Sequence, residues 1–178
     1  MLETTRLILR RWRDSDRERF RGINADPRGM EFFTAPLSAE ESEVMVDYIE
    51  SHFEVYGFGL WATELRENGE FVGFIGLAVP TFKAAFTPAV EIGWRLSANE
   101  WGRGLATEGA REVVHHAFDD LGLKSLVSFT VPPNVRSRRV MEKIGMTHDP
   151  ADDFDHPRVP EGHPFRRHVL YRLSRNMS

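Results

Sequence analysis

The chain contains no cysteine, which excludes disulfides, thiolate metal ligands and a cysteine nucleophile. It also lacks the P-loop string Gly-x-x-x-x-Gly-Lys-Ser/Thr and any apolar run near the ~20 residues that a membrane helix needs. Its formal net charge of -4 is unlike that of a basic nucleic-acid-binding domain. Acidic residues interrupt the arginines between positions 6 and 21, unlike in a transit peptide. We therefore expect a soluble, unprocessed cytoplasmic protein with no nucleic-acid or membrane partner.

The composition and the hydrophobic periodicity predict one globular domain over residues 1–178. The sequence is 41% hydrophobic and 28% charged, as is usual for a folded domain. Period-2 alternation predicts strands at residues 5–12, 58–65, 71–79, 89–96, 125–131 and 168–173. Helical spacing predicts helices at residues 14–24, from 38 onward, 106–121 and 134–144. This order predicts an α/β (α+β) fold with a mixed sheet flanked by helices.

Local signals mark several ends of these elements. Asp14 or Ser15 is expected to cap the first helix, and Ser38 with Glu41 has the capping-box spacing. Asn68-Gly69 predicts a hairpin turn, and Gly122 is expected to follow the third helix. The acidic, proline-rich residues 151–164 are expected to form a loop.

Two strand-to-helix turns carry the groups that are suited to binding a ligand. The first, residues 101–107 (the glycine turn), places backbone N–H groups at the start of a helix, which suits a phosphate. It is not a dinucleotide fingerprint, because Thr107 replaces the third glycine, and it could be a plain connection. The second turn carries Asn134 and Ser137. Because ligands of α/β sheets bind beyond the carboxyl ends of strands, the two turns predict a ligand crevice.

Three segments, read together, resemble the GNAT acetyltransferase superfamily. They are residues 91–96 (EIGWRL), 101–108 (WGRGLATE) and 134–146 (NVRSRRVMEKIGM), and the opening residues 2–10 (LETTRLILR) are similar too. Within the superfamily, the chain is similar to the Rim-type ribosomal-protein N-terminal acetyltransferases. The resemblance implies a single domain with a mostly antiparallel sheet, acetyl-CoA as donor and a primary amine as acceptor. It also suggests a homodimer.

The resemblance also implies the roles of individual residues. The backbone of Ile92, Gly93 and Trp94 is expected to pair with the pantetheine arm and polarise the thioester carbonyl. The pyrophosphate is expected at the amides of Arg103, Gly104, Leu105, Ala106 and Thr107. Asn134 is expected to hydrogen-bond the pantetheine, and Ser137 to lie near the sulfur. Arg95 and Arg138 are also assigned to the cofactor site.

The chain departs from the family pattern at two positions. Trp101 stands where glutamine or arginine is common, and Met141 stands where many members have a tyrosine acid. The acid is then Ser137, water or no group at all. Glu91, on the strand face opposite Ile92, is the candidate base through water, unless it is an ordinary paired or solvated charge. Asn134 also fits a plain helix cap.

The acceptor is less defined than the donor. An α-amine with a pKa near 7.8 is about 15% neutral at pH 7, whereas a lysine amine is less than about 0.1% neutral. With no strong base in the motifs, a protein or peptide α-amine is favoured. A small-molecule amine and a catalytically weak acyl-CoA-binding regulatory module are the alternatives. Acids of residues 151–164 could attract an amine, and the histidines there match no standard metal spacing, so no metal is expected.

Overall fold

The computed structural model describes residues 1–175. The helices are α1 (Asp14–Ala25), α2 (Ala39–Tyr56), α3 (Leu105–His115) and α4 (Val135–Lys143). The strands are β1 (Leu2–Glu3), β2 (Leu7–Arg10), β3 (Leu60–Leu65), β4 (Phe71–Ala78), β5 (Glu91–Leu96), β6 (Ser125–Thr130), β7 (Thr147–His148), β8 (Phe154–Asp155) and β9 (Arg167–Ser174).

The strands form one mixed and mostly antiparallel sheet, as predicted. Its order is β1-β2-β3-β4-β5-β6-β9-β7, with β8 paired to β9 beside it. Neighbours run antiparallel except β5 and β6, which are parallel. One hydrophobic cluster extends through the described residues from Leu7 to Tyr171. That residues 1–178 form a single domain stays a prediction.

Helices cover both faces of the sheet. On one face α1 contacts β4, where the rings of Phe20 and Phe74 lie 5.9 Å apart. On the other face α3 lies directly on Ile75, and Gly109 allows this approach because a methyl group there would overlap the Ile75 side chain. The helix α4 lies next to α3, and Arg111 of α3 donates to the carbonyl of Lys143 at 3.1 Å.

The ends of α2 and α3 follow the local sequence signals. Ser38 Oγ accepts the N–H of Glu41 at 3.1 Å, and the Glu41 carboxylate accepts the N–H of Ser38 at 2.7 Å, which confirms the capping box. The stripe at 106–121 forms an α-helix followed by one wider π-helical turn, His116–Asp120. Gly122 has the expected left-handed conformation, with φ of 66°.

The predicted cap of α1 is wrong. The capping position is Arg13 rather than Asp14 or Ser15, because the Asp16 carboxylate accepts the N–H of Arg13 at 2.8 Å. The carboxylate of Asp16, the third residue of α1, thus takes the place of a capping side chain at Arg13.

The short strands were not predicted, because two residues carry no periodicity. The first predicted strand is shortened to β2, with β1 beside it. Most of residues 151–164 is loop, as expected, but β8 interrupts it. Within residues 1–175, no helix combines the length and the apolar character needed to cross a bilayer.

Candidate active site

The parallel strands β5 and β6 are paired at a single position. Glu91 is the only residue of β5 in register with β6, opposite Val127, and the N–H of Val127 donates to the carbonyl of Val90 at 2.9 Å. On its other side β5 is paired with β4 along its whole length. Within the described chain, the backbone edge of residues 92–96 that faces β6 therefore has no strand partner. This leaves an opening between two parallel strands.

Two helix N-termini lie at the carboxyl end of this opening. The helix α3 begins after Gly104 and α4 begins after Asn134, each following one of the two parallel strands. The guanidinium of Arg136, in the first turn of α4, lies 4.2 Å above the ring of Trp101 in the glycine turn. The two turns that the sequence predicted to share a crevice are therefore in contact.

The glycine turn has the geometry of an anion cradle. Gly102 and Gly104 have φ of 78° and 79°, which other residues rarely adopt. The N–H groups of residues 102–107 have no acceptor among residues 1–175, and the first helical bond runs from the Glu108 N–H to the Gly104 carbonyl at 3.1 Å. The Leu105 side chain is buried in the core, so it can contribute only its backbone. Ala106 and Thr107 follow in the first turn, half-buried.

Two arginines stand at the turn, of which the sequence indicated one. Arg103 is exposed and paired with Glu100 and Glu67. Arg6 was missed: its Nη1 donates to the Arg103 carbonyl at 2.8 Å, and its Nε donates to Glu108 at 2.7 Å. Its signal in the sequence is its place in the opening segment that resembles the family. The contact spans 97 residues, so no local pattern shows it.

Asn134 caps α4, as one of its two interpretations predicts. Its Oδ1 accepts the N–H of Ser137 at 3.2 Å, and its Nδ2 donates to Thr130 Oγ1 at 3.0 Å. These bonds fix the amide plane at the end of β6. Ser137 lies half-buried in the first turn of α4.

Arg138 is held by protein groups. Its Nε donates to the Tyr171 hydroxyl at 3.2 Å and its Nη1 donates to the Pro132 carbonyl at 3.0 Å. The Tyr171 hydroxyl in turn donates to Glu142 at 3.0 Å. These bonds tie α4 to β9, and the assignment of Arg138 to the cofactor site stays a prediction.

Glu91 lies at the point where β5 and β6 separate. Its side chain is half-buried and makes no ion pair within residues 1–175. Burial raises the pKa of its carboxyl to about 8. A methyl group built on Gly93, the next residue on this face, would meet only Glu91 Oε1, at 3.7 Å. The surface of β5 beside the Glu91 carboxyl is therefore not covered by other residues.

The Arg95 side chain lies away from the expected cofactor side. Ile92 and Trp94 are in register with Leu77 and Ile75, on the face covered by α3. Arg95 is on the opposite face and donates to Asn24 of α1 at 2.6 Å. Alternation along β5 sends this side chain under α1 and α2, so only the backbone of Arg95 remains for the cofactor role assigned to the residue, which stays a prediction.

The three aspartates of residues 151–164 have basic partners. Asp152 lies 2.6 Å from Arg172, and Asp153 lies 2.7 Å from His148. Asp155 lies 3.4 Å from Arg167. These contacts leave the three aspartates less available to an amine, and the expectation that acids of this segment attract one stays a prediction. No group of three potential metal ligands occurs in the part of the chain that the structure describes.

The described part of the chain thus combines an open pair of parallel strands with two helix N-termini at the carboxyl end of the opening. The model of the acetyltransferase (GNAT) domain family matches residues 6–147. The chain belongs to the GNAT acetyltransferase family, which confirms the resemblance seen in the sequence.

Relatives and solved structures agree with this assignment. The FsC-acetyl coenzyme A-N(2)-transacetylase of Aspergillus fumigatus is 38% identical over 83% of this chain, which spans 65% of that relative's length. An acetyltransferase of Agrobacterium tumefaciens is 30% identical over 98% of this chain and 94% of its own, with a TM-score of 0.78. RimJ of Mycobacterium smegmatis, solved with CoA-disulfide, shares the fold at 19% identity, covering 94% of this chain and 81% of RimJ, with a TM-score of 0.75.

Proposed function

We propose that this protein transfers the acetyl group of acetyl-CoA to a primary amine by direct attack, with no covalent enzyme intermediate. The proposal rests on the pairing of β5 with β6 at one position only. This leaves a free strand edge between two helix N-termini. A free edge can pair with the amides of an extended ligand, while helix N-termini bind anions. Both properties match an extended, phosphorylated acyl carrier.

The proposed cofactor residues act through their backbone. When bound, acetyl-CoA supplies the thioester. The unpaired N–H groups of residues 103–107 receive its pyrophosphate, with Arg6 beside them. The free edge at Ile92, Gly93 and Trp94 pairs with the pantetheine and polarises the carbonyl, and Asn134 borders the same groove. A single backbone donor at such a site is worth about 2.7–4 kcal/mol in comparable acyl transfers.

Glu91 and Ser137 complete the proposed chemistry. Glu91 takes a proton from the incoming amine through water, and its raised pKa of about 8 brings it close to that of an α-amine. Ser137, on the first turn of α4, is the candidate that protonates the leaving thiolate in place of the tyrosine absent at Met141.

A protein or peptide α-amine is the proposed acceptor, with a small-molecule amine as the alternative. The relative at 38% identity is named an N(2)-transacetylase, which supports transfer to nitrogen. A third candidate is a regulatory module that binds acyl-CoA, favoured by the methionine in place of tyrosine. The cytoplasmic location and the homodimer stay predictions.

A thiol-release assay with acetyl-CoA and a panel of peptides and small amines tests the proposal. Turnover with peptides that is lost on blocking their N-termini supports the α-amine. Turnover with small amines alone selects the alternative. Tight CoA binding without turnover by any amine favours the regulatory module and contradicts the proposed activity.

Substituting Gly104 should weaken acetyl-CoA binding. With φ of 79°, alanine in Gly104→Ala is strained by about 1–2 kcal/mol, and the turn shifts its amides away from the pyrophosphate. Losing one charged hydrogen bond corresponds to a KM for acetyl-CoA about tenfold higher. Gly122→Ala is the matched control, because Gly122 also has a positive φ, 66°, but has open space around it and lies beyond the π-helical turn that follows α3. Steady-state kinetics that show equal KM values for both variants would place the pyrophosphate elsewhere.

A further inference from the structure

Arg95 is a cation in the sheet with no anionic partner. Its Nη1 donates to Asn24 Oδ1 at 2.6 Å and contacts the Met45 sulfur at 3.7 Å. The rings of Phe33 and Phe74 lie 4.6 and 5.5 Å from its Cζ. These contacts come from α1, α2, the segment between them and β4. No carboxylate among residues 1–175 forms an ion pair with the guanidinium.

The neighbours of Arg95 orient the guanidinium without neutralising it. Asn24 is fully buried, and its Nδ2 donates to Ser42 Oγ at 2.8 Å, which fixes its Oδ1 toward Arg95. The Arg95 Nε is buried with no acceptor at all. Burial lowers the pKa of this guanidinium to about 10, so it keeps its charge at neutral pH. A buried donor on a charged group is costly unless a ligand accepts from it.

Arg10 shows how this sheet compensates a structural arginine. The register places Arg10, Ala62, Phe74 and Arg95 in one row across four strands, so both arginines share a face. Arg10 is bound by two carboxylates, Asp16 at 2.7 Å and Glu64 at 2.6 Å. Arg95, three strands away, has only neutral partners. This contrast indicates that the missing anion at Arg95 comes from a ligand.

The same face has room for such a ligand between Arg95 and Glu91. The residue between them is Gly93, and a methyl group there would touch only Glu91 Oε1, at 3.7 Å. Their Cα atoms are four positions apart along the strand, a distance of about 13 Å. The Phe33 ring lies over the guanidinium and is 45% exposed, so this ring covers Arg95 from the solvent side. This face of β5 thus connects Glu91, the candidate base, with Arg95, the cation that has no ion-pair partner.

We propose that Arg95 binds a carboxylate of the acceptor while the acceptor's amine reaches Glu91. This rests on the proposed function and deepens it by naming the acceptor class. Because the two side chains are several residues apart, the acceptor carries its carboxylate several bonds from the amine, as a short peptide does. A polyamine is disfavoured, because its second cation would face Arg95.

Nuclear magnetic resonance of arginine-labelled protein tests carboxylate binding without requiring turnover. Titration with triglycine should shift the Arg95 Nε–H signal, identified by its loss in Arg95→Lys, whereas triglycine amide should not shift it. Equal responses to the acid and the amide, or no response at millimolar concentrations, would overturn the proposal.

Kinetics test the same contact during acetyl transfer. For the unmodified protein we expect kcat/KM about 10- to 100-fold higher for peptide acids than for their amides, the range for a charged hydrogen bond. Arg95→Gln should reduce this ratio toward 1 and leave the KM for acetyl-CoA unchanged. The control Arg19→Gln removes an exposed arginine paired with Glu70 and should keep the ratio.

The two proposals fail in different ways. Thiol release without any preference for the acid overturns the role of Arg95 and leaves the proposed function standing. A carboxylate-specific shift of the Arg95 signal with no thiol release for any amine overturns the proposed function alone.

Discussion

Glu91→Gln is expected to lower kcat for amine acetylation about 10²- to 10⁴-fold, the usual contribution of a general base. Glutamine has nearly the same shape but cannot accept the proton. Because burial raises the pKa of Glu91 to about 8, the charged form is disfavoured in the folded protein, and its removal should not destabilise the fold above pH 5. Steady-state kinetics and thermal melting of the same preparation separate the two effects.

The pH profile gives the second measurement of this prediction. A base with a pKa of about 8 is mostly protonated at pH 7, so the rate should rise with pH and level off above about 8. The acceptor must be an amine that is already neutral at pH 6, so that the remaining titration belongs to the enzyme. Glu18→Gln, at an exposed position of α1, is the control and should keep both rate and profile. An unchanged kcat in Glu91→Gln would show that water alone, or another group, takes the proton.

What the sequence predicted about the site depends on local rules. Alternation along β5 placed Glu91 and Ile92 on opposite faces, and the structure agrees. The positive φ of Gly104 and the capping bond of Asn134 follow from residue type and from the neighbouring residues. Such features need no knowledge of the rest of the chain. The sequence therefore predicts the glycine turn and the start of α4 individually, without their contact.

What the sequence could not predict depends on contacts between distant residues. Asn24 reaches Arg95 across 71 positions, and Arg6 reaches the glycine turn across 97. Alternation gave the face of Arg95 but not what covers that face. The acids near Asp152 looked available for an amine because their partners, such as Arg172, lie on another strand. Charge in a sequence therefore indicates a binding site only after the ion pairs of the fold are known.

Arg10→Met is expected to destabilise the protein by about 3–5 kcal/mol, because it leaves the buried Asp16 without its cation and the buried Glu64 with only the exposed Arg13, 3.2 Å away. Arg10, Asp16 and Glu64 are 7%, 2% and 7% exposed, and Arg10 makes two bonds to Asp16, at 2.7 and 2.9 Å. For a domain of this size, the loss corresponds to a Tm lower by roughly 6–20 °C. Calorimetry or thermal melting measures it directly.

The origin of this loss can be isolated by two further variants. Arg19→Met removes an exposed pair with Glu70 and should cost less than about 1 kcal/mol. Replacing Arg10 and Glu64 by apolar residues of similar volume and Asp16 by asparagine, which can still accept the N–H of Arg13, should restore most of the stability, because no charge is then left buried alone. A single Arg10→Met variant that melts like Arg19→Met would show that solvent reaches this cluster. The ion pairs of Arg10 would then contribute little to stability. The contrast between the paired Arg10 and the unpaired Arg95 would no longer indicate that Arg95 needs an anion.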